Sequence, residues 1–116
     1  MTDILIVNSS SEEYGETATG YPLGVCYLAA AAETAGFGTA FFDSYRTPWP
    51  AARAGFEKIL RETRPLAVGF SCLSFNRNSA RDAARLVKNI DPGAVTIFGG
   101  PHATPMQDQI LENYDA

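Results

Sequence analysis

A chain of 116 residues, 46% hydrophobic and 19% charged, is long enough to bury one core without staples and is ordinary in composition for a globular domain. Its net charge of -4 and the absence of any Lys/Arg cluster exclude the basic face that nucleic-acid phosphates require. No apolar run approaches a membrane span, and MTDILIVN lacks the basic start of a signal peptide, so a cytoplasmic setting is expected.

Ile4 to Val7 is continuously apolar and mostly β-branched, which predicts a first strand buried on both faces. The segment from Ser9 to Tyr21 is long for a strand-to-helix connection, and such lengths usually carry function. Pro22 fits a first helical position, and Leu23 to Ala35 reads as an alanine-rich helix closed by Gly36. Ala29 to Ala32 would let that helix approach the sheet closely. Thr39 to Phe42 is a second strand ending at Asp43, followed by a loop from Ser44 to Pro50 that holds Tyr45 and Trp49. From Ala51 to Arg64, the positions Ala52, Phe56, Ile59 and Leu60 share one helical face, with Glu57/Arg61 and Lys58/Glu62 on the other. Pro65 ends that helix.

Leu66 to Phe70 is the third strand, and Asn78 to Ile90 a helix turning Ala80, Ala83, Ala84, Val87 and Ile90 inward. Asp91-Pro92-Gly93 is a turn, Val95 to Phe98 a fourth strand, and Thr104-Pro105-Met106-Gln107 a capped helix start that should bury Met106, Ile110 and Leu111. Four strands alternating with four helices predict an α/β fold, a doubly wound parallel sheet in the flavodoxin-like (Rossmann-like) order 2-1-3-4. The whole chain, 1–116, reads as one domain. A fifth strand beside the fourth is missing from this pattern, so the domain is expected to be the N-terminal part of a longer enzyme. The fourth strand would then be an open apolar edge prone to self-association.

Ligands of such sheets bind at the carboxyl ends of the strands. A dinucleotide would need G-x-G-x-x-G after strand one, but Gly15, Gly20 and Gly24 have the wrong spacing. A P-loop is absent, and Ser71 stands where a receiver domain would carry its aspartate. The two cysteines, Cys26 and Cys72, are too few for a disulfide framework or a four-thiolate metal site, and both read as buried thiols. A metal cluster of Glu12, Glu13 and Glu16 is a weaker reading than a solvated acidic loop.

YPLGVCYLAAAAETAG after strand one, FFD closing strand two, LAVGFSCLS and VTIFGGPHATP together carry a resemblance that spans nearly the whole chain. The chain resembles the N-terminal cobalamin-binding domain of cobalamin-dependent radical S-adenosylmethionine enzymes, a group that includes many methyltransferases. The resemblance implies cobalamin as cofactor. Asn8 and Ser9, then Pro22, Leu23 and Gly24 would line the site from the first loop and helix. Gly69, Ser71, Leu73 and Ser74 would line it after strand three, and Gly99, Gly100, Pro101 and His102 after strand four.

Physical chemistry gives these positions their roles. The nucleotide tail of cobalamin must pass between sheet and helices, so side chains there must be small or absent, as at Gly69, Gly99 and Gly100. Ser71 can offer its hydroxyl to the nitrogen of the buried base. The related methionine-synthase-like domains carry a cobalt-ligating histidine in the first loop. Here that loop has none; His102, the sole histidine, has two readings, a cobalt ligand or a turn residue near the tail, and the resemblance favours the second. The implied state is base-off cobalamin without a protein ligand below cobalt.

The resemblance further implies a radical S-adenosylmethionine domain in cis, with S-adenosylmethionine and a [4Fe-4S] cluster of its own. The chain has no C-x-x-x-C-x-x-C and should be non-catalytic alone. Two alternatives stay open: a cobalamin-free docking module of such an enzyme, and a stand-alone corrinoid carrier.

Overall fold

The computed structural model describes residues 2–10, 23–71, 77–100 and 106–113. Its elements run β1 (Ile4–Asn8), α1 (Leu23–Thr34), β2 (Thr39–Asp43), α2 (Trp49–Thr63), β3 (Ala67–Ser71), α3 (Arg77–Ile90), β4 (Val95–Gly99) and α4 (Gln107–Asn113). All strand pairs are parallel and the order is β2-β1-β3-β4, the doubly wound, flavodoxin-like arrangement the alternation predicts.

Side chains on a strand alternate between its two faces. One face presents Leu5, Val7, Ala40, Phe42, Val68, Phe70 and Phe98 to α2 and α3, and here the core forms. Its centre is Phe56, fully buried, with ring centroids 5.4 Å from Phe42, 5.6 Å from Trp49 and 6.3 Å from Phe70. Ala80, Ala83, Ala84 and Val87 close it from α3, as their helical spacing predicts. α1 packs over β1 and β2. Ile6, whose alternation turns it away from the α2/α3 core, is buried too, so β1 is covered on both faces as its unbroken apolar run requires.

The helix ends follow their local chemistry. Gly36 (φ 95) closes α1 in the left-handed conformation, with Phe37 N–H donating to the Ala32 carbonyl. α2 stops at Thr63 ahead of Pro65, and Arg64 takes the left-handed cap position (φ 44). Asp91 fixes the next turn by accepting from Gly93 N–H at 3.0 Å.

Several expectations need correction. Trp49 does not lie in a loop: α2 begins there, with Pro50 in its first turn, and the indole packs edge-on against Phe56 two turns later. Cys26 is exposed rather than buried, and of the α1 alanines only Ala29 and Ala32 are even half-buried. A helix apolar all round, as α1 is, carries no pattern saying which side meets the sheet. Met106 and Leu111 are exposed too, because an apolar stripe on α4 says nothing about whether a neighbour covers it. The expectations for Cys72, for Glu12, Glu13 and Glu16, and for Thr104 and Pro105 fall outside the described residues.

Candidate functional site

Each strand runs one residue further than its apolar stretch. The hydrogen-bond ladder continues through Asn8, Asp43, Ser71 and Gly99, because a ladder uses only main-chain groups and is indifferent to the side chain attached. Register places these four residues side by side in the order Asp43, Asn8, Ser71, Gly99, at the carboxyl edge of the sheet. Alternation turns all four away from the α2/α3 core, toward the face that α1 partly covers. At about 4.8 Å between strands the row spans roughly 14 Å.

The row is polar at one end and empty at the other. Asn8 Nδ2 donates to Asp43 Oδ1 at 3.2 Å, and Tyr45 N–H donates to the same oxygen at 3.1 Å. The Asp43 carboxylate therefore fixes the Asn8 amide and the turn after β2 together. Gly99 bears no side chain, and among the described residues a Cβ built there meets no atom within 4 Å.

The same holds one step down the face. The next row reads Phe41, Ile6, Gly69, Ile97, and a Cβ at Gly69 also meets nothing within 4 Å among the described residues. Below it lie Thr39, Ile4, Ala67 and Val95. Ile97 and Val95 are more than half exposed, at 53% and 56%. Over β3 and β4 the sheet thus presents an open, apolar floor with two missing side chains, beside the wall made by α1.

The fold does not require glycine at either place. Neither Gly69 nor Gly99 has the positive φ that favours glycine, and no described residue approaches either. Glycine in a strand interior costs stability, and one use of it there is to let a ligand or another backbone approach closely. Gly24, in the first turn of α1, likewise has no described atom within 4 Å of where a Cβ would be. Gly100 differs: its φ of 104 demands glycine for the turn itself.

Beneath the row a serine network holds the start of the first loop. Ser44 N–H and Oγ both donate to the Asn8 carbonyl, at 3.0 and 3.3 Å, and Ser10 Oγ donates to Ser44 Oγ at 3.1 Å. Ser79 Oγ, on α3, donates to the Ser10 carbonyl. All three serines are buried, as is Ser9 at 2% exposure. This clamp joins three elements around the exit of β1. Sequence reading did not assign Ser10, Ser44, Ser79 or Asp43 a role; the only available signal was their position just beyond strand ends or in a helix start.

Of the expected site residues, the structure brings Asn8, Ser71 and Gly99 into one row, sets Gly69 directly below Ser71 on the same face, and places Ser9 and Gly100 immediately beyond β1 and β4. Leu23 and Gly24 begin α1, the side chain of Leu23 being outside the description. Pro22, Leu73, Ser74, Pro101 and His102 lie outside the described residues. Among the described residues no group of three or more His, Cys, Asp or Glu side chains gathers as a metal site, and no helix is long and apolar enough to cross a membrane.

Such a surface can take a large, flat, amide-rich ligand at its polar rim and a narrow apolar extension along its floor. The B12 binding domain family matches residues 17–116 of the chain. No curated protein and no solved structure matches it.

Proposed function

The chain belongs to the B12 binding domain family, and from that premise we propose that it binds cobalamin across the carboxyl edge of its sheet, with the nucleotide tail laid along the open face of β3 and β4. The observation that carries this reading is the unfilled space above Gly69 and Gly99, beside the polar row and backed by α1. The residues present fit the ligand. Cβ-free strand tips admit the tail, apolar neighbours line its path, and the polar rim offers hydrogen-bonding partners to corrin amides.

Each residue then has a task. Gly69 and Gly99 leave room for the tail, and Ser71 offers its hydroxyl to the nitrogen of the detached base. Asn8, held by Asp43, presents its amide at the rim, and buried Ser9 shapes the exit of β1. Leu23 and Gly24 open α1 with backbone N–H groups that no earlier turn of the helix uses, and Pro22 precedes them in the sequence. Leu73, Ser74, Gly100, Pro101 and His102 complete the site after β3 and β4. Bound cobalamin supplies a cobalt centre able to carry and release a methyl group. The segment after β1 contains no histidine and would offer no imidazole to the metal, and the family resemblance implies that the cobalamin would be held with its base detached. Held in that way, the cofactor would supply a methyl group suited to radical chemistry.

The proline-leucine-glycine run at Pro22 to Gly24 and GGPHAT after β4 support a further step: the domain presents its cofactor, in the cytoplasm, to a radical S-adenosylmethionine domain that carries a [4Fe-4S] cluster and performs methyl transfer or a related reaction. The present residues bind and orient; they include no catalytic group.

Mixing the purified protein with hydroxocobalamin, removing the excess and recording the visible spectrum tests the binding. Retained corrin bands near stoichiometric amount are expected. A colourless protein after desalting refutes the reading and favours a docking module without cofactor.

A further inference from the structure

The cofactor face changes chemistry with depth. Its top row is polar on three strands out of four, at Asp43, Asn8 and Ser71. On β1, β3 and β4 the two rows beneath contain only Ile6, Gly69, Ile97, Ile4, Ala67 and Val95. No side-chain donor or acceptor stands among them. The single polar side chain at that depth, Thr39 on the far strand β2, donates its hydroxyl to Glu33 at 2.7 Å.

Cobamides share the corrin ring and the nucleotide loop but differ in the base at the end of that loop. Once detached from cobalt the base is the far end of the tail and reaches deepest. Successive residues on one face are about 6.6 Å apart, so the Gly69/Ile97 row lies one such step below Ser71 and Gly99. A base whose five-membered ring turns a nitrogen up to the Ser71 hydroxyl must turn its six-membered ring down onto Gly69, Ile97 and Val95. In a benzimidazole that ring is hydrocarbon. In adenine the same ring carries two nitrogen acceptors and an exocyclic amine.

Resting on the cobalamin reading above, we propose that this floor selects the lower base: the domain takes benzimidazolyl cobamides and discriminates against purinyl ones. The dimethylbenzimidazole edge covers Ile97 and Val95, which water otherwise wets at more than half their surface. An adenine edge there exchanges its water partners for methyl groups, and each polar group left without a partner weakens binding by about tenfold. The discrimination is therefore built into Ile97, Val95 and the missing side chain of Gly69, none of which the core uses.

The test compares equilibrium binding of three corrinoids to the same protein: cobalamin, adeninylcobamide, and cobinamide, which lacks the nucleotide. Adeninylcobamide is expected to bind about ten- to a hundredfold more weakly than cobalamin, and cobinamide also more weakly than cobalamin. Ile97→Asn should shrink the cobalamin-to-adeninylcobamide ratio by about tenfold, with the thermal midpoint recorded alongside to show that the fold persists. Equal affinity for the two complete cobamides, or a ratio that Ile97→Asn leaves untouched, overturns the selection while leaving cobalamin binding in place. Cobinamide binding as tightly as cobalamin removes the tail from this floor and overturns it too. Failure to retain any corrinoid sinks the cobalamin reading itself.

Discussion

Replacing Gly69 by valine separates what the fold needs from what the ligand needs. Position 69 is in the middle of a central strand, has no left-handed φ, and has no described atom within 4 Å of a built Cβ. A β-branched residue suits such a strand, and removing a glycine also narrows the unfolded ensemble by about 0.4–1 kcal/mol. Gly69→Val is therefore expected to leave stability unchanged or raise it by up to about 1 kcal/mol, which for a domain of this size lifts the thermal midpoint by roughly 2–5 °C. Binding should move the other way. A ligand resting on the strand backbone sits at van der Waals distance, about 3.5–4 Å, and three added carbon atoms occupy that layer. Loss of at least about a hundredfold in cobalamin affinity is expected, equivalent to about 2.7 kcal/mol. Circular dichroism melting and visible-band retention after desalting, on one preparation, give both numbers. A variant that binds cobalamin as the parent does refutes the account of the floor. One that unfolds shows the glycine to be structural after all. Gly100 is a poorer choice, since its φ of 104 would confound blocking with strain.

Four further outcomes are expected. Phe56→Ala should cost about 3–5 kcal/mol by chemical denaturation, because the ring is fully buried among Phe42, Trp49 and Phe70; a loss below about 1 kcal/mol would contradict that packing. Ser44→Ala removes the acceptor of Ser10 Oγ and a donor to the Asn8 carbonyl, for about 1–2 kcal/mol, and slower hydrogen exchange at the exit of β1 would count against the clamp. The Co(II) form of the loaded protein should show no nitrogen superhyperfine splitting in its electron paramagnetic resonance spectrum, and a triplet pattern would mean that an imidazole or the base occupies the lower position. β4 lies at the sheet edge with Val95 and Ile97 exposed, so self-association rising with concentration is expected by light scattering; a strict monomer at millimolar concentration would refute it.

The surface ion pairs carry little of this. Arg61 and Glu57 meet at 2.9 Å and Lys58 and Glu62 at 3.9 Å, but all four are substantially solvated, and such pairs contribute a few tenths of a kcal/mol. Stability resides in the aromatic cluster beneath α2 and α3.

What the sequence determined alone is the list of elements and their order. Period-two and period-3.6 patterns, with Gly36, Pro65 and Asp91-Pro92-Gly93 as punctuation, are local properties, and the handedness of crossovers then leaves one simple sheet order. The small residues Gly69, Ser71 and Gly99 were also legible, because glycines and a serine ending apolar runs are conspicuous in one dimension. Tertiary structure decided the rest. Only register shows that Asp43, Asn8, Ser71 and Gly99 stand abreast, since the chain separates them widely and a one-residue slip would turn each to the opposite face. Only packing shows which side of α1 is covered, that Trp49 belongs to the core, and that nothing described fills the space above the two glycines. A pattern states what a residue prefers; whether a neighbour is there to meet it is settled by the whole chain in space.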